Sequence, residues 1–104
     1  MLITTTEKIP GKEVTQVLGM VRGNTVRSKN VFRDIGAGLK SIVGGEIKDY
    51  TAMLVEAREE ALFRMTKKAE SLGANAIIMV RFATSSIMGG AAEILAYGTA
   101  VKIK

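Results

Sequence analysis

The sequence has no cysteine and no histidine in 104 residues. Without cysteine there is no disulfide framework, thiolate zinc site or thiol nucleophile. Without histidine the commonest general base, the commonest transition-metal ligand and any Ser-His-Asp triad are excluded. Tryptophan is absent, and two tyrosines and three phenylalanines leave little with which to stack nucleic-acid bases, so no nucleic-acid partner is expected. The longest strongly apolar run, Ala76-Ile77-Ile78-Met79-Val80, is far shorter than the roughly 20 residues that span a bilayer, and no membrane partner is expected. The start, Met1 to Lys8, lacks a basic region followed by an apolar one, so it does not read as a signal peptide and a cytoplasmic protein is expected.

What remains is an ordinary globular composition, 47% apolar and 24% charged, with 15 basic and 10 acidic residues and a net charge of +5. The length suits one domain over residues 1–104, just able to bury its own core. A short Thr-rich strand over 2–6 precedes a turn at Ile9-Pro10-Gly11-Lys12. Residues 13–22 read as a strand apolar on both faces, with Gly19 marking a bulge or a close backbone approach. Val31, Ile35, Leu39 and Ile42 keep a helical period over 31–43, weakened by Gly36 and Gly38 and stopped by Gly44-Gly45. A stronger helix spans 49–72, with Asp49 as N-cap and Gly73 just past its end. Its apolar stripe holds Leu54, Ala57, Ala61, Leu62, Met65, Ala69 and Leu72. Arg58 lies inside that stripe and Phe63 almost opposite it.

A strand over 76–83, a loop over 84–90 and a strand over 92–103 complete the chain. In the last strand Leu95, Tyr97, Val101 and Ile103 share one face. Ala96, Gly98 and Ala100 make the other small enough for a helix or a second backbone to approach closely. The expected fold is therefore α+β, the 49–72 helix packed on an antiparallel sheet.

Candidate chemistry is sparse. Gly36-Ala37-Gly38-Leu39-Lys40-Ser41 fails as a phosphate loop, because Leu39 stands where glycine must precede Lys-Ser. Arg22, Arg27, Lys29 and Arg33 form a basic run without an intervening acid, to be weighed against a simple solvated face. With Arg58, the arginines at 22, 27 and 33 are the candidate contacts for a small anionic ligand. A hard cation would instead need Asp34, Glu46, Asp49 and Glu93 to converge, against a basic overall field. No set supplies nucleophile, base and oxyanion stabiliser together, so no catalytic residues, no enzyme activity and no cofactor are expected. The expected function is a binding or structural module for a small ligand or anion, the alternative a heavy-metal or divalent-cation binder.

The segments Thr4-Thr5-Thr6, Asn30-Val31-Phe32-Arg33-Asp34, Ile42-Val43-Gly44-Gly45, Tyr50, Ala57-Arg58, Gly73-Ala74-Asn75-Ala76 and Gly98-Thr99-Ala100-Val101 resemble the YbjQ-like family of small prokaryotic proteins. Members are of unknown function and often carry a heavy-metal-binding label. The resemblance implies a dodecin-like β-α-β-β subunit of two layers, its last strand central in the sheet, assembled as a homopentameric ring. The chain departs from the family at Met79-Val80-Arg81-Phe82-Ala83-Thr84, where relatives often carry acidic residues and this sequence has none. Independently of the resemblance, the long helix, Phe63 and strands apolar on both faces point to a homo-oligomer, because one helix cannot cover both sides of a sheet.

Overall fold

The computed structural model describes residues 1–28, 45–87 and 89–104, with only the backbone for 45–47. Strands β1 (Leu2–Ile3), β2 (Val14–Ser28), β3 (Ala76–Ile87) and β4 (Ala91–Ile103) form one mixed sheet in the order β1-β3-β4-β2, and helix α1 (Gly45–Ser71) packs on it. The three long strands are antiparallel with β4 in the centre, and short β1 adds a parallel edge to β3. The expected helix over 31–43 lies outside the described residues.

Several boundaries move, each for a tertiary reason. The strand expected to end at residue 22 runs on to Ser28, because its polar second half pairs with β4 as far as Ser28 opposite Ala91. The loop expected over 84–90 is strand through Ile87, which also faces Ala91, and the turn narrows to the left-handed Gly89 and Gly90. Asp49 is not an N-cap but lies in the second turn of a helix that begins at Gly45. At the other end Gly73, with φ of +84°, closes α1 as expected. Its N–H donates to the Glu70 carbonyl at 2.9 Å and that of Ala74 to the Ala69 carbonyl at 3.1 Å, satisfying two terminal acceptors. Leu72 falls in this turn rather than in the stripe and is exposed.

The main core lies between α1 and the sheet. Ala57, Ala61, Met65 and Ala69 of the helix are fully buried against Val21, Ile77, Val80, Ile94, Ala96 and Ala100. Alanines on the helix and small residues on β2 and β4 let the two layers approach closely. The limit is reached at Gly23, where a Cβ would run into the α1 backbone at Ala61 and Met65. A second, smaller cluster of Ala76, Ile78 and Val101 sits on the other side of the sheet, packed by Ile9 and Ile103.

Two bulges shape the strands. Gly19, with φ of +126°, marks the expected irregularity in β2. In β3 the register slips between Ile78 and Arg81, and Met79 adopts φ of +56°, which non-glycine residues seldom do. The Thr-rich segment fastens this bulge beyond β1. Met79 N–H donates to the Thr6 carbonyl at 3.1 Å and Val80 N–H to the Thr4 carbonyl at 3.0 Å. The threonine side chains stiffen the same segment: the Thr4 and Thr6 hydroxyls lie 2.8 Å apart, and Thr6 Oγ1 donates to the Lys8 carbonyl at 2.7 Å.

The described residues form an elongated body of 56 × 23 × 17 Å with a radius of gyration of 17.4 Å. A compact chain of this length has a radius of gyration of about 13 Å. Length along the strands is gained at the expense of a closed surface.

Candidate functional site

Residues directly opposite one another in antiparallel strands point to the same side of a sheet, so the register assigns every side chain to a face. Val21, Gly23, Thr25 and Arg27 of β2 fall under or beside the helix, with Gly98, Ala96, Ile94 and Ala92 of β4. Among the described residues the other face is open except at the end where Ile9 packs. Its β2 side chains are Met20, Arg22, Asn24 and Val26, facing Thr99, Tyr97, Leu95 and Glu93 of β4. Large apolar groups stand in solvent here: Met20 is 67% exposed, Val17 65% and Val26 57%. Met79, Ile87 and Tyr97 add to the same exposed apolar surface.

The candidate anion contacts do not form one cluster. Arg22 is exposed on the open face, whereas Arg27, five residues on, is half-buried on the helix side. Arg58 is half-buried on α1 and makes no ion pair among the described residues, which favours a snorkelling side chain over a buried pair. Arg33 lies outside the described residues. Of the candidate cation ligands, Asp34 also lies outside them, Glu46 is on the first turn of α1, Asp49 is exposed on its second, and Glu93 is half-buried on the open face. Among the described residues no three carboxylates come close enough to share an ion. Phe63 is 56% exposed, with Lys67 Nζ 5.3 Å from its ring centre.

The structure does bring together groups that the one-dimensional pattern kept apart. Tyr97 of β4 is in register with Arg22 on one flank and Arg81 on the other, so the three side chains form a row across the open face. Arg81 Nη1 donates to the Thr5 and Val80 carbonyls, each at 2.9 Å, which ties the guanidinium to the edge of the sheet. Neither arginine has a carboxylate partner among the described residues; the ion pairs recorded there, Arg64 with Glu60 and Lys67 with Glu70, are both on α1. Beside this row a depression of about 300 Å³ is lined by Met20, Met79, Arg81, Tyr97, Gly98 and Thr99. A larger cavity of about 670 Å³ opens at the strand ends under residues 7–14, lined mainly by Ile9, Pro10, Val14, Val17, Ile78 and Ile103. Two acidic and two basic residues, Glu7, Glu13, Lys8 and Lys12, also line it. Arg81 was visible in the sequence only as the residue replacing an acidic stretch. Its pairing with Arg22 depends on sheet order and on the β3 bulge.

A helix on one face of a four-strand mixed sheet defines this chain as an α+β sheet protein, whose candidate chemistry among the described residues lies on the side opposite the helix. A family model described as “Putative heavy-metal-binding” matches residues 1–104, and the chain belongs to that YbjQ-like family. It is 64% identical to a UPF0145 protein of Methanoculleus marisnigri over 103 residues, covering 99% of this chain and 96% of the relative. A UPF0145 protein of Archaeoglobus fulgidus is 62% identical, covering 100% of this chain and 96% of its own. The fold is similar to that of a crystallised protein of unknown function from Pediococcus pentosaceus, assigned to the DUF74 family. The TM-score is 0.69, with 21% identity over 100% of this chain and 98% of that one.

The donor set fits a heavy metal poorly. The chain offers neither thiolate nor imidazole. Of the six methionines, Met20 and Met79 line one depression together, but the cationic Arg81 lines it too, and its charge opposes any cation there. Among the described residues no helix is long and apolar enough to cross a membrane.

Proposed function

We propose that this chain is a non-catalytic subunit of a closed homo-oligomer that binds a small anionic ligand. One observation carries the reading: among the described residues, the open sheet face combines exposed apolar side chains with two arginines that have no acid beside them. Each part of that surface asks for something. The apolar side chains toward the ends of the face, Val17, Val26 and Ile87, gain by being covered, at about 25 cal/mol per Å² removed from water. A second copy of the same chain is the partner that the unclosed, elongated body supports. The arginines need counter-charge once water is withdrawn from around them, and a small anion supplies it.

Repetition strengthens the effect. Subunits of charge +5 arranged with the open faces turned toward one another sum their fields over one shared space, and that space attracts anions and repels cations. A pentamer is the size that the family resemblance implies. The absence of a convergent nucleophile and base among the described residues supports a binding role over a catalytic one.

The test is native mass spectrometry and light scattering on the full chain. A discrete closed assembly is expected, dispersed to smaller species by the double substitution Val17→Lys, Val26→Lys without loss of helical circular dichroism. A wild-type monomer at micromolar concentration would overturn the assembly. Retention of stoichiometric divalent metal, with no anion bound from a panel of phosphates and carboxylates, would overturn the ligand class.

A further inference from the structure

The Arg22–Tyr97–Arg81 row and the depression beside it specify more than an anion. Adjacent strands lie about 4.8 Å apart, so two arginines separated by one strand have Cα atoms about 10 Å apart. The Arg22 side chain is long enough to reach over the tyrosine ring toward β3, where the Arg81 guanidinium, fixed through Nη1 to the Thr5 and Val80 carbonyls, offers its remaining N–H groups. Guanidinium forks match the oxygen geometry of phosphate and carboxylate, and two forks from opposite sides favour a group with oxygens pointing both ways. The Thr99 hydroxyl borders the same depression. The Met20 and Met79 thioethers and the Tyr97 ring form an apolar floor next to this polar row, which free inorganic phosphate would leave unused. The strained bulge at Met79 turns that side chain into the depression from β3, and the Thr4 and Thr6 backbone hydrogen bonds hold the bulge in place.

Glu93 is the acid of the open face nearest in sequence to the row, and it must be weighed. It stands four residues along β4 from Tyr97, in register with Val26 and Ser85, so its backbone lies about 13 Å away. At that distance a surface charge is largely screened at physiological salt. The row remains net positive.

We infer that Arg22, Tyr97 and Arg81 form a binding site for a small phosphate monoester, whose apolar body lies on Met20 and Met79. This deepens the small-anion reading of the preceding section and rests on it. The phosphate is held between the two guanidinium groups, and the ester group covers thioether and ring surface that is otherwise wet.

Phenyl phosphate is the probe, titrated into the wild-type assembly by calorimetry and by methyl NMR of the methionines. Saturable binding is expected, with shifts confined to the Met20 and Met79 methyl groups. Inorganic phosphate is expected to bind at least tenfold more weakly, and benzyl alcohol, which has the ring but no charge, not at all. Arg22→Gln should weaken phenyl phosphate at least tenfold, the loss of one charge-assisted hydrogen-bonded contact, while Arg22→Lys recovers part of the affinity. Arg22 makes no hydrogen bond among the described residues, so its variants test binding rather than folding; Arg81→Gln, which also frees Thr5, is read alongside a thermal melt. Phenyl phosphate binding that survives both glutamine variants would overturn this site while leaving the anion reading intact. Failure of phenyl phosphate, with carboxylates still bound, would overturn the phosphate assignment alone. Failure of every anion tested would remove both.

Discussion

The two faces of one sheet are built from the same three strands and obey opposite rules. Under the helix, β2 and β4 present Val21, Gly23, Thr25, Ile94, Ala96 and Ala100, all buried. One residue along each strand, the open face presents Arg22, Asn24, Val26 and Tyr97, all exposed. Size is inverted relative to a simple inside-outside rule: on β4 the smaller side chains are inside and the larger ones out. The cause is the helix. Its buried stripe is mostly alanine, so its axis rides close to the sheet and leaves no volume for large partners beneath it. The face with room for large side chains is the one that, among the described residues, only Ile9 and its neighbours cover, and only at one end.

The largest effect that separates the faces is expected at Gly23. A valine there drives its side chain into the backbone of α1 at Ala61 and Met65, and backbone cannot move aside as a side-chain tip can. Gly23→Val should prevent folding or cost about 3 kcal/mol or more in urea denaturation. Arg22→Ala, the next residue but on the open face, should stay within about 0.5 kcal/mol. Equal losses at the two positions would break the comparison.

Next in size is Ile94 against Val26. Ile94 is fully buried, and Ile94→Ala should cost about 2–5 kcal/mol through lost transfer energy and the cavity left behind. Val26→Ala should cost under about 0.5 kcal/mol when measured on dissociated chain. The same substitution measured on the assembled protein sharpens the comparison: a loss above about 1 kcal/mol there would place Val26 in a subunit contact.

Thr25 gives a smaller effect of opposite sign. Its hydroxyl is buried beneath the helix with no hydrogen-bond partner among the described residues. Thr25→Val removes an unsatisfied polar atom and keeps the branched shape, so stability should rise by about 1 kcal/mol, seen as a higher melting temperature. A decrease would mean that the hydroxyl has a partner in solution, such as a trapped water.

The smallest effect concerns the exposed rim of the helix. Arg64 Nη1 donates to the Asn24 carbonyl at 2.7 Å, and its Nε lies 3.1 Å from Glu60 Oε1. Arg64→Ala should cost about 0.5 kcal/mol, and the part due to the ion pair should vanish in 1 M salt, where the screening length is about 3 Å.

Much of this arrangement was legible in the residues. The stripe of α1 was readable from its 3.6-residue period, its C-terminal stop from Gly73, the β2 bulge from Gly19, and the small face of β4 from alternation. These are local signals, set by backbone geometry within a few residues. The ends of β2 and β3 were not legible, because Asn24, Ser28, Ser85 and Ser86 have no strong strand preference; they are strand because β4 offers them hydrogen-bond partners. The start of α1 was misplaced for a related reason, since Gly45 reads as a breaker and Asp49 as a cap.

The candidate site divides along the same line. Composition by itself excluded thiolate and imidazole chemistry, set the sign of the overall field and marked Arg22 as a basic residue without a nearby acid. Periodicity by itself fixed which residues alternate. Neither could say which side of the sheet the helix takes, nor that residues 22, 97 and 81 stand side by side. Those facts belong to strand order and register, which are set by pairing between segments distant in sequence (Arg22 and Tyr97 are 75 residues apart) and by how closely an alanine-lined helix can approach a glycine. A sequence records parity along each strand; only packing converts parity into a face, and a face into a site.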